Sequence, residues 1–475
     1  MYNEVVVPEG MFVIKNKKIM NGSNFLFYRG KIRNFNDYNW PMFVFCLLPE
    51  EGLYMNLENK WLRAVLPALL IHCSIGTVYC WSLFKADIAY YIDKPLAQVE
   101  WAFSLAIFVL GMSAAFGGKF VEKDIHKSSL YSMFFFVVGM VGTGVFIYLK
   151  SLIGIYIFYG IVMGIGLGIG YLTPVKTLML WFINNKGLAT GLAVAGFGLA
   201  KVIASPLMEK LLGPVNADGV LINPENVYKM FFILAALYAV MMIIGHLLIR
   251  KPNGWVETEQ ATRVFNYKAV LKNKTFIGIW FMFYINITCG LALIAQEKAM
   301  LAYVGFTAIG LVSALTAVFN AGGRLAYSAW ADRLKDRNTI YKIVFISTML
   351  AIVAVLVFDA LAAGIPFLII VLLCVINAGY GGGFSNLPTL LADRYGLDSI
   401  STIHGLALSA WAIAGLSGNQ LASFVLEKTG SYEVLLYVLL GLFAVATAIS
   451  MFVVKPGKVD IPQVQDSTDK KVATV

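Results

Sequence analysis

Gly118-Lys-Phe-Val-Glu122-Lys123-Asp-Ile-His-Lys127 and Asp332-Arg333-Leu-Lys335-Asp-Arg337 are two short acidic-basic stretches, each closing one apolar run of helical length and opening another. Around the first lie runs near 62–84, 99–121, 129–149, 152–175, 187–212 and 228–249. Around the second lie runs near 276–296, 306–328, 340–359, 364–390, 404–426 and 432–454. Each stretch therefore follows the second of six runs. Crossing hydrocarbon takes about 20 apolar residues, because lipid offers no partner to backbone N–H and C=O groups and each segment must satisfy its own. The doubled six predicts an all-α membrane protein of twelve transmembrane helices in two six-helix, pseudo-symmetric halves. A second echo agrees: Lys186-Gly-Leu-Ala-Thr-Gly191 opens the fifth run and His404-Gly-Leu-Ala-Leu-Ser409 the eleventh.

The composition is that of a bilayer protein. Apolar residues make up 59% of the 475, and charged residues only 13%, where a soluble chain carries about a quarter. The net charge of +10 does not describe a nucleic-acid partner, since the Lys and Arg residues fall in short loops rather than in one patch. They fall unevenly. One set of loops and the tail holds Lys119, Lys123, Lys127, Lys186, Arg250, Lys251, Arg333, Lys335, Arg337, Arg394 and Lys455 among others, and the opposite set only Lys85, Lys94, Lys150, Lys210, Lys229, Lys298 and Lys428. Basic loops resist translocation, which predicts both termini on the cytoplasmic face of a cell membrane. Of the five cysteines, Cys73, Cys80, Cys289 and Cys374 lie in apolar runs and none is paired at metal-ligand spacing, so neither disulfides nor a metal or other cofactor is expected.

These runs divide the chain into a first half at 55–250, a cytoplasmic link at 251–275, a second half at 276–454 and a tail at 455–475. Residues 1–54 mix Asn, Lys and Arg with one apolar run, Pro41 to Leu48, too short to span. Glu50-Glu51-Gly52 implies purine-rich codons just ahead of Met55, so the expected reading is an upstream-misassigned start; the alternative is a disordered extension.

Twelve spans, a central link and repeated loop motifs resemble the major facilitator superfamily, in which parallel halves rock about a mid-membrane site. Asn59-Lys-Trp61, Tyr79-Cys-Trp81, Gly164-Ile-Gly-Leu-Gly-Ile-Gly-Tyr171, the Lys186 to Gly198 stretch, Asn320-Ala-Gly-Gly-Arg324 and Gly379-Tyr-Gly-Gly-Gly-Phe-Ser-Asn-Leu-Pro388 narrow it. Over roughly Asn59 to Val454 the chain is similar to the oxalate/formate antiporter branch. The first loop departs from the family pattern, with Glu122 where Asp is usual and Ile125 where Gly is usual. Glu122, Lys123, Asp332 and Arg333 are the expected gating loop residues.

Arg324 stands four residues from both Asn320 and Ser328, on one helical face. A guanidinium in hydrocarbon costs from about 2.5 to over 10 kcal/mol, so it faces a cavity or a partner, and its planar fork suits a carboxylate. The resemblance implies that Arg324 engages substrate carboxylate; a structural pair with an acid or helix-end carbonyls is the alternative. It also implies aromatic residues around the anion, at Tyr79, Tyr171, Tyr380 and Phe384. Oxalate carriers of the branch hold a second cation, a lysine, where this chain has Trp411. One fixed charge favours monocarboxylates such as formate, lactate or pyruvate.

Lys201, near the middle of the fifth span, could restore a second charge and with it a dicarboxylate site, or could stay neutral; Lys176 could snorkel to headgroups. Asp87, Glu100, Glu297 and Asp359 lie near span ends, so coupling through a deep acid is disfavoured against exchange, or symport with a proton that travels with the substrate. His72 and His404 could titrate near neutrality, or serve as hydrogen-bonded helix residues. A transporter of small organic anions is thus expected, not an enzyme, working as a monomer in the bilayer with protons or a counter-anion as co-substrate. The alternatives are an oxalate/formate-type exchanger and a carrier of an unrelated small solute, though a cationic drug or sugar would call for acids and amides these helices lack.

Overall fold

The computed structural model describes residues 59–216, 221–253 and 266–459, so the expectations for 1–54, for the middle of the 251–275 link and for most of the tail lie outside the described residues. Among the described residues, eleven helices are long and apolar enough to cross a membrane: α1 Trp61–Ile92, α2 Leu96–Lys123, α3 Ile125–Tyr148, α4 Leu152–Trp181, α5 Ile183–Leu212, α6 Asn226–Leu248, α7 Lys274–Tyr303, α9 Asn338–Val357, α10 Pro366–Tyr395, α11 Ile400–Thr429 and α12 Tyr432–Phe452. The helix between α7 and α9, α8 Ile309–Ala331, has 23 residues and carries Asn320 and Arg324. The twelve fall into the expected two sets of six. A six-residue helix, Tyr267–Lys272, precedes α7.

Several boundaries differ from the hydropathy reading, each for a local reason. The first run stops at 84, yet α1 continues to Ile92, because Lys85 and Asp87 ride inside the helix and Lys85 pairs with Glu100 of α2. The third begins earlier, at Ile125, because the Asp124 carboxylate accepts from the amides of His126 and Lys127, both at 2.9 Å, and caps the helix. The seventh continues past 296 to Tyr303. Glu297, near the end of the span as expected, therefore lies within the helix; it is buried and accepts from Ser313 Oγ at 2.6 Å and Thr316 Oγ1 at 3.0 Å.

The halves meet at the end of the bundle that bears Lys123, Lys127, Arg333 and Lys335, the basic end. There α2 lies against α11, with Gly118 beside the Ser401 carbonyl and Gly405 beside that of Ala114; a side chain at either glycine would overlap backbone. Two acids bind across this seam. Glu122 accepts from the Ser401 amide at 2.7 Å, in the first turn of α11, and pairs with Lys176 of α4. Asp332 accepts from the amides of Gly187 and Leu188, both at 2.8 Å, in the first turn of α5, and pairs with Arg337 at 2.7 Å. Each half thus supplies a carboxylate to the positive end of a helix in the other. Lys123 and Arg333 of the same loops point to solvent.

Candidate substrate site

Past the middle of α8, about two turns before its end at Ala331, Arg324 is only 2% exposed. Its room is cut from two glycines: a Cβ at Gly198 of α5 would come within 3.0 Å of Nε, and one at Gly381 of α10 within 3.0 Å of Cγ. Nε donates to Asn320 Oδ1 at 3.1 Å, one turn back on the same helix, and Nη1 to the Val194 carbonyl of α5 at 3.3 Å. Asn320 is steadied in turn by Asn377 of α10, at 3.4 Å. The guanidinium lies 5.4 Å from the Phe384 ring centre. Among the described residues it forms no ion pair. Of the two structural partners named as the alternative, an acid is absent among the described residues, while a helix carbonyl, that of Val194, is present.

Around it the halves contribute facing rings. From the first half come Tyr79, Tyr171 and Phe197, with Phe197 5.5 Å from both tyrosine rings. From the second come Tyr380, Phe384 and Trp411, with Phe384 5.1 Å from Tyr380 and 4.7 Å from Trp411. Trp411, 1% exposed, closes the seam, 5.6 Å from Tyr171 and 6.0 Å from Phe197. Below the arginine, Ser385 Oγ donates to the Arg324 carbonyl at 2.8 Å and receives from Ser328 Oγ at 2.6 Å, while Thr190 of α5 donates across to the Ser385 carbonyl at 3.1 Å.

The hydroxyls of Tyr79, Tyr171 and Tyr380 are buried and make no hydrogen bond; those of Tyr79 and Tyr380 approach one another without reaching bonding geometry. All three lie in the field of the Arg324 charge. A buried unsatisfied hydroxyl costs about 1–3 kcal/mol, and a fork of N–H donors beside three O–H donors can discharge that cost on one acceptor-rich anion.

Six residues expected from sequence therefore come together with Arg324: Asn320, Tyr79, Tyr171, Tyr380, Phe384 and Trp411. Lys201 does not join them; it is exposed, and its Nζ donates to Ser82 Oγ at 3.4 Å. Lys176, expected to snorkel, is buried, paired with Glu122 and donating to the Leu397 carbonyl at 3.3 Å. Phe197 and the Val194 carbonyl also belong to the site and are not among the residues expected from sequence. The signal for Phe197 was its setting, a bulky ring between Gly196 and Gly198 in mid-span; the carbonyl left none, since any residue supplies one.

Residues 68–419 match the family model of the Major Facilitator Superfamily. The oxalate:formate antiporter of Oxalobacter formigenes is 25% identical over 84% of this chain and 92% of its own length. Apicoplast pyruvate carrier 1 of Toxoplasma gondii is 25% identical over 62% of this chain and 63% of its own. Among solved structures, a bacterial homologue of the iron transporter ferroportin in an outward-facing state superposes with a TM-score of 0.63 at 15% identity, over 84% of this chain and 99% of that one.

Proposed function

We propose a cargo for this chain, which belongs to the major facilitator superfamily: small monocarboxylate anions such as formate, lactate or pyruvate, carried across the cell membrane by alternating access. It is a membrane transporter, not an enzyme. One observation carries the choice of cargo: a buried, ion-pair-free guanidinium with three unpartnered tyrosine hydroxyls around it. The carboxylate takes Arg324 through its fork, the hydroxyls of Tyr79, Tyr171 and Tyr380 donate to its oxygens, and Phe384, Phe197 and Trp411 exclude water, which strengthens the charge pairing. Relatives that act on oxalate and formate, and on pyruvate, support the carboxylate class.

Charge sets the preference within the class. Arg324 is the one fixed cation among the described groups of the ring enclosure, Trp411 stands where oxalate carriers place a lysine, and Lys201 is exposed and bonded to Ser82. A single carboxylate balances a single guanidinium. In transport, neutralised Arg324 lets the halves close over the anion, while Glu122 and Asp332 hold the basic end shut until they release α11 and α5. The distribution of basic loops supports a cytoplasmic position for that end and for both termini.

The test is a thermal-shift series of purified protein against formate, lactate, pyruvate, acetate, oxalate and malonate, with counterflow of labelled pyruvate in proteoliposomes, because a ligand of the folded state raises its apparent stability. Stabilisation by monocarboxylates with pyruvate counterflow is expected. Stabilisation by oxalate and malonate alone moves the cargo to dicarboxylates; no response to any of the six refutes the class.

A further inference from the structure

His72 sits in mid α1, fully buried. Its Nδ1 lies 2.6 Å from the Ala193 carbonyl oxygen of α5 and its Nε2 3.1 Å from the Tyr171 carbonyl oxygen of α4. The carbonyl of Gly170 also approaches the ring. That carbonyl has lost its own helical partner, because residue 174, four positions on, is a proline inside α4 without an N–H. Every oxygen presented to the ring is an acceptor. A neutral imidazole carries one N–H, so one nitrogen would set its lone pair against a carbonyl lone pair; the imidazolium carries two and satisfies both sides.

The surroundings fit a cation held without a fixed counter-ion. The imidazole stacks on the Tyr171 ring at 5.4 Å and 20°, an arrangement that attracts a cation to the ring face, and the Phe197 ring stands edge-on at 6.0 Å. The titratable neighbours are few. α4 offers Tyr171, α5 none beside Ala193 and Phe197, and α6 turns Tyr238 toward Thr77 and Cys73. On α1 itself Cys73 bonds to the Gly196 carbonyl, and from α11 His404 meets the far side of Tyr171 at 5.9 Å. The charge that reaches His72 is that of Arg324. Burial itself opposes a charge on the ring, and a second positive charge nearby adds to that opposition; a carboxylate on Arg324 removes the added part.

We propose that His72 is the proton-binding site of this carrier, built from carbonyl acceptors of α4 and α5, and that it takes up its proton together with the anion that binds Arg324. The inference rests on the carboxylate reading above. The anion enables the proton and, by reciprocity, the proton tightens the anion, so cargo and H+ cross together and the return of an empty carrier requires both to leave.

The experiment adds pyruvate to weakly buffered, detergent-purified protein with a pH indicator, alongside binding measured by calorimetry. Wild type is expected to take up about one proton per pyruvate, with apparent Kd rising about tenfold per pH unit on the alkaline side. His72→Gln, which keeps N–H donors but cannot titrate, is expected to bind pyruvate with no proton uptake, and its proteoliposomes to retain counterflow while an imposed pH gradient no longer drives net uptake. His72→Lys, a fixed charge, is expected to bind without proton uptake and with little pH dependence. Glu297→Gln is expected to behave as wild type. Pyruvate binding by wild type without proton release or uptake, or undiminished uptake in His72→Gln, overturns the His72 site and leaves the carboxylate reading standing. Loss of proton uptake in Glu297→Gln alone overturns it too. Absence of any pyruvate, formate or lactate binding by wild type refutes the carboxylate reading and this inference with it.

Discussion

At the scale of single residues, the site is organised by what surrounds Arg324 rather than by the arginine alone. Gly198 and Gly381 are as necessary to it as any donor, because a methyl at Gly198 reaches its Nε and one at Gly381 also overlaps the Asn320 carbonyl. Gly198→Ala is expected to fold and to weaken pyruvate affinity at least about tenfold, equivalent to losing one charge-assisted hydrogen bond of about 1.5 kcal/mol or more, measured by calorimetry. Arg324→Lys keeps the charge but not the fork, and is expected to retain binding while losing most counterflow. Each Tyr→Phe change at 79, 171 and 380 removes a buried hydroxyl that has no partner. Such variants are expected to match or exceed wild type in melting temperature while losing about 0.5–1.5 kcal/mol of anion affinity each, a split that packing residues would not give. Trp411→Lys supplies the second cation, and is expected to raise oxalate over pyruvate in competition by about tenfold or more, in line with a charge-assisted pair.

At the scale of helices, the decisive contacts are terminal. The first turns of α5 and α11 each take a carboxylate from the opposite half. Asp332→Asn keeps an oxygen for one amide but gives up the second acceptor, the dipole interaction and the ion pair to Arg337, a loss of about 1 kcal/mol or more. Spin labels at Lys127 and Lys335, both exposed and on opposite halves, are expected to show a longer mean distance in that variant; an unchanged distribution would mean the cap does not hold the basic end closed. Much of this level was legible beforehand, because the apolar runs and the paired acidic-basic loops are one-dimensional patterns. What was not legible is which way each side chain turns. Lys201 and Arg324 look alike in sequence, each a cation in an apolar run, yet Lys201 is exposed and reaches Ser82 of α1, while Arg324 is buried and reaches the Val194 carbonyl. The same limit hid Glu297, since a run that ends at the first polar residue cannot see Ser313 and Thr316 waiting on the next helix.

For the whole molecule, the two halves share the site unequally. The second half contributes the guanidinium and its steadying amides, the first half most of the hydroxyl and carbonyl groups that face it, so neither half alone holds all the groups of the proposed anion site. Transport driven by site completion predicts exchange faster than net flux in the absence of a proton gradient. In pyruvate-loaded vesicles, labelled pyruvate should therefore enter faster than in empty ones at equal pH, and equal rates would count against it. Family and architecture were readable from the repeat of six spans and its motifs. The chemistry of the centre was readable only in part, because carbonyl oxygens such as those of Val194, Ala193 and Tyr171 belong to the backbone and are aimed by packing, not by residue type.

Trp411 gives the molecule an optical property as well. Its indole touches Tyr171 and Phe197 across the seam and Phe384 on its own side, in a setting closed to water. When the halves part, the first two contacts are lost together and the indole meets solvent. In a variant whose other tryptophans are phenylalanine, emission from this one ring should move to longer wavelength as the seam opens and return as it closes, so each turnover would write its own fluorescence trace without any attached dye.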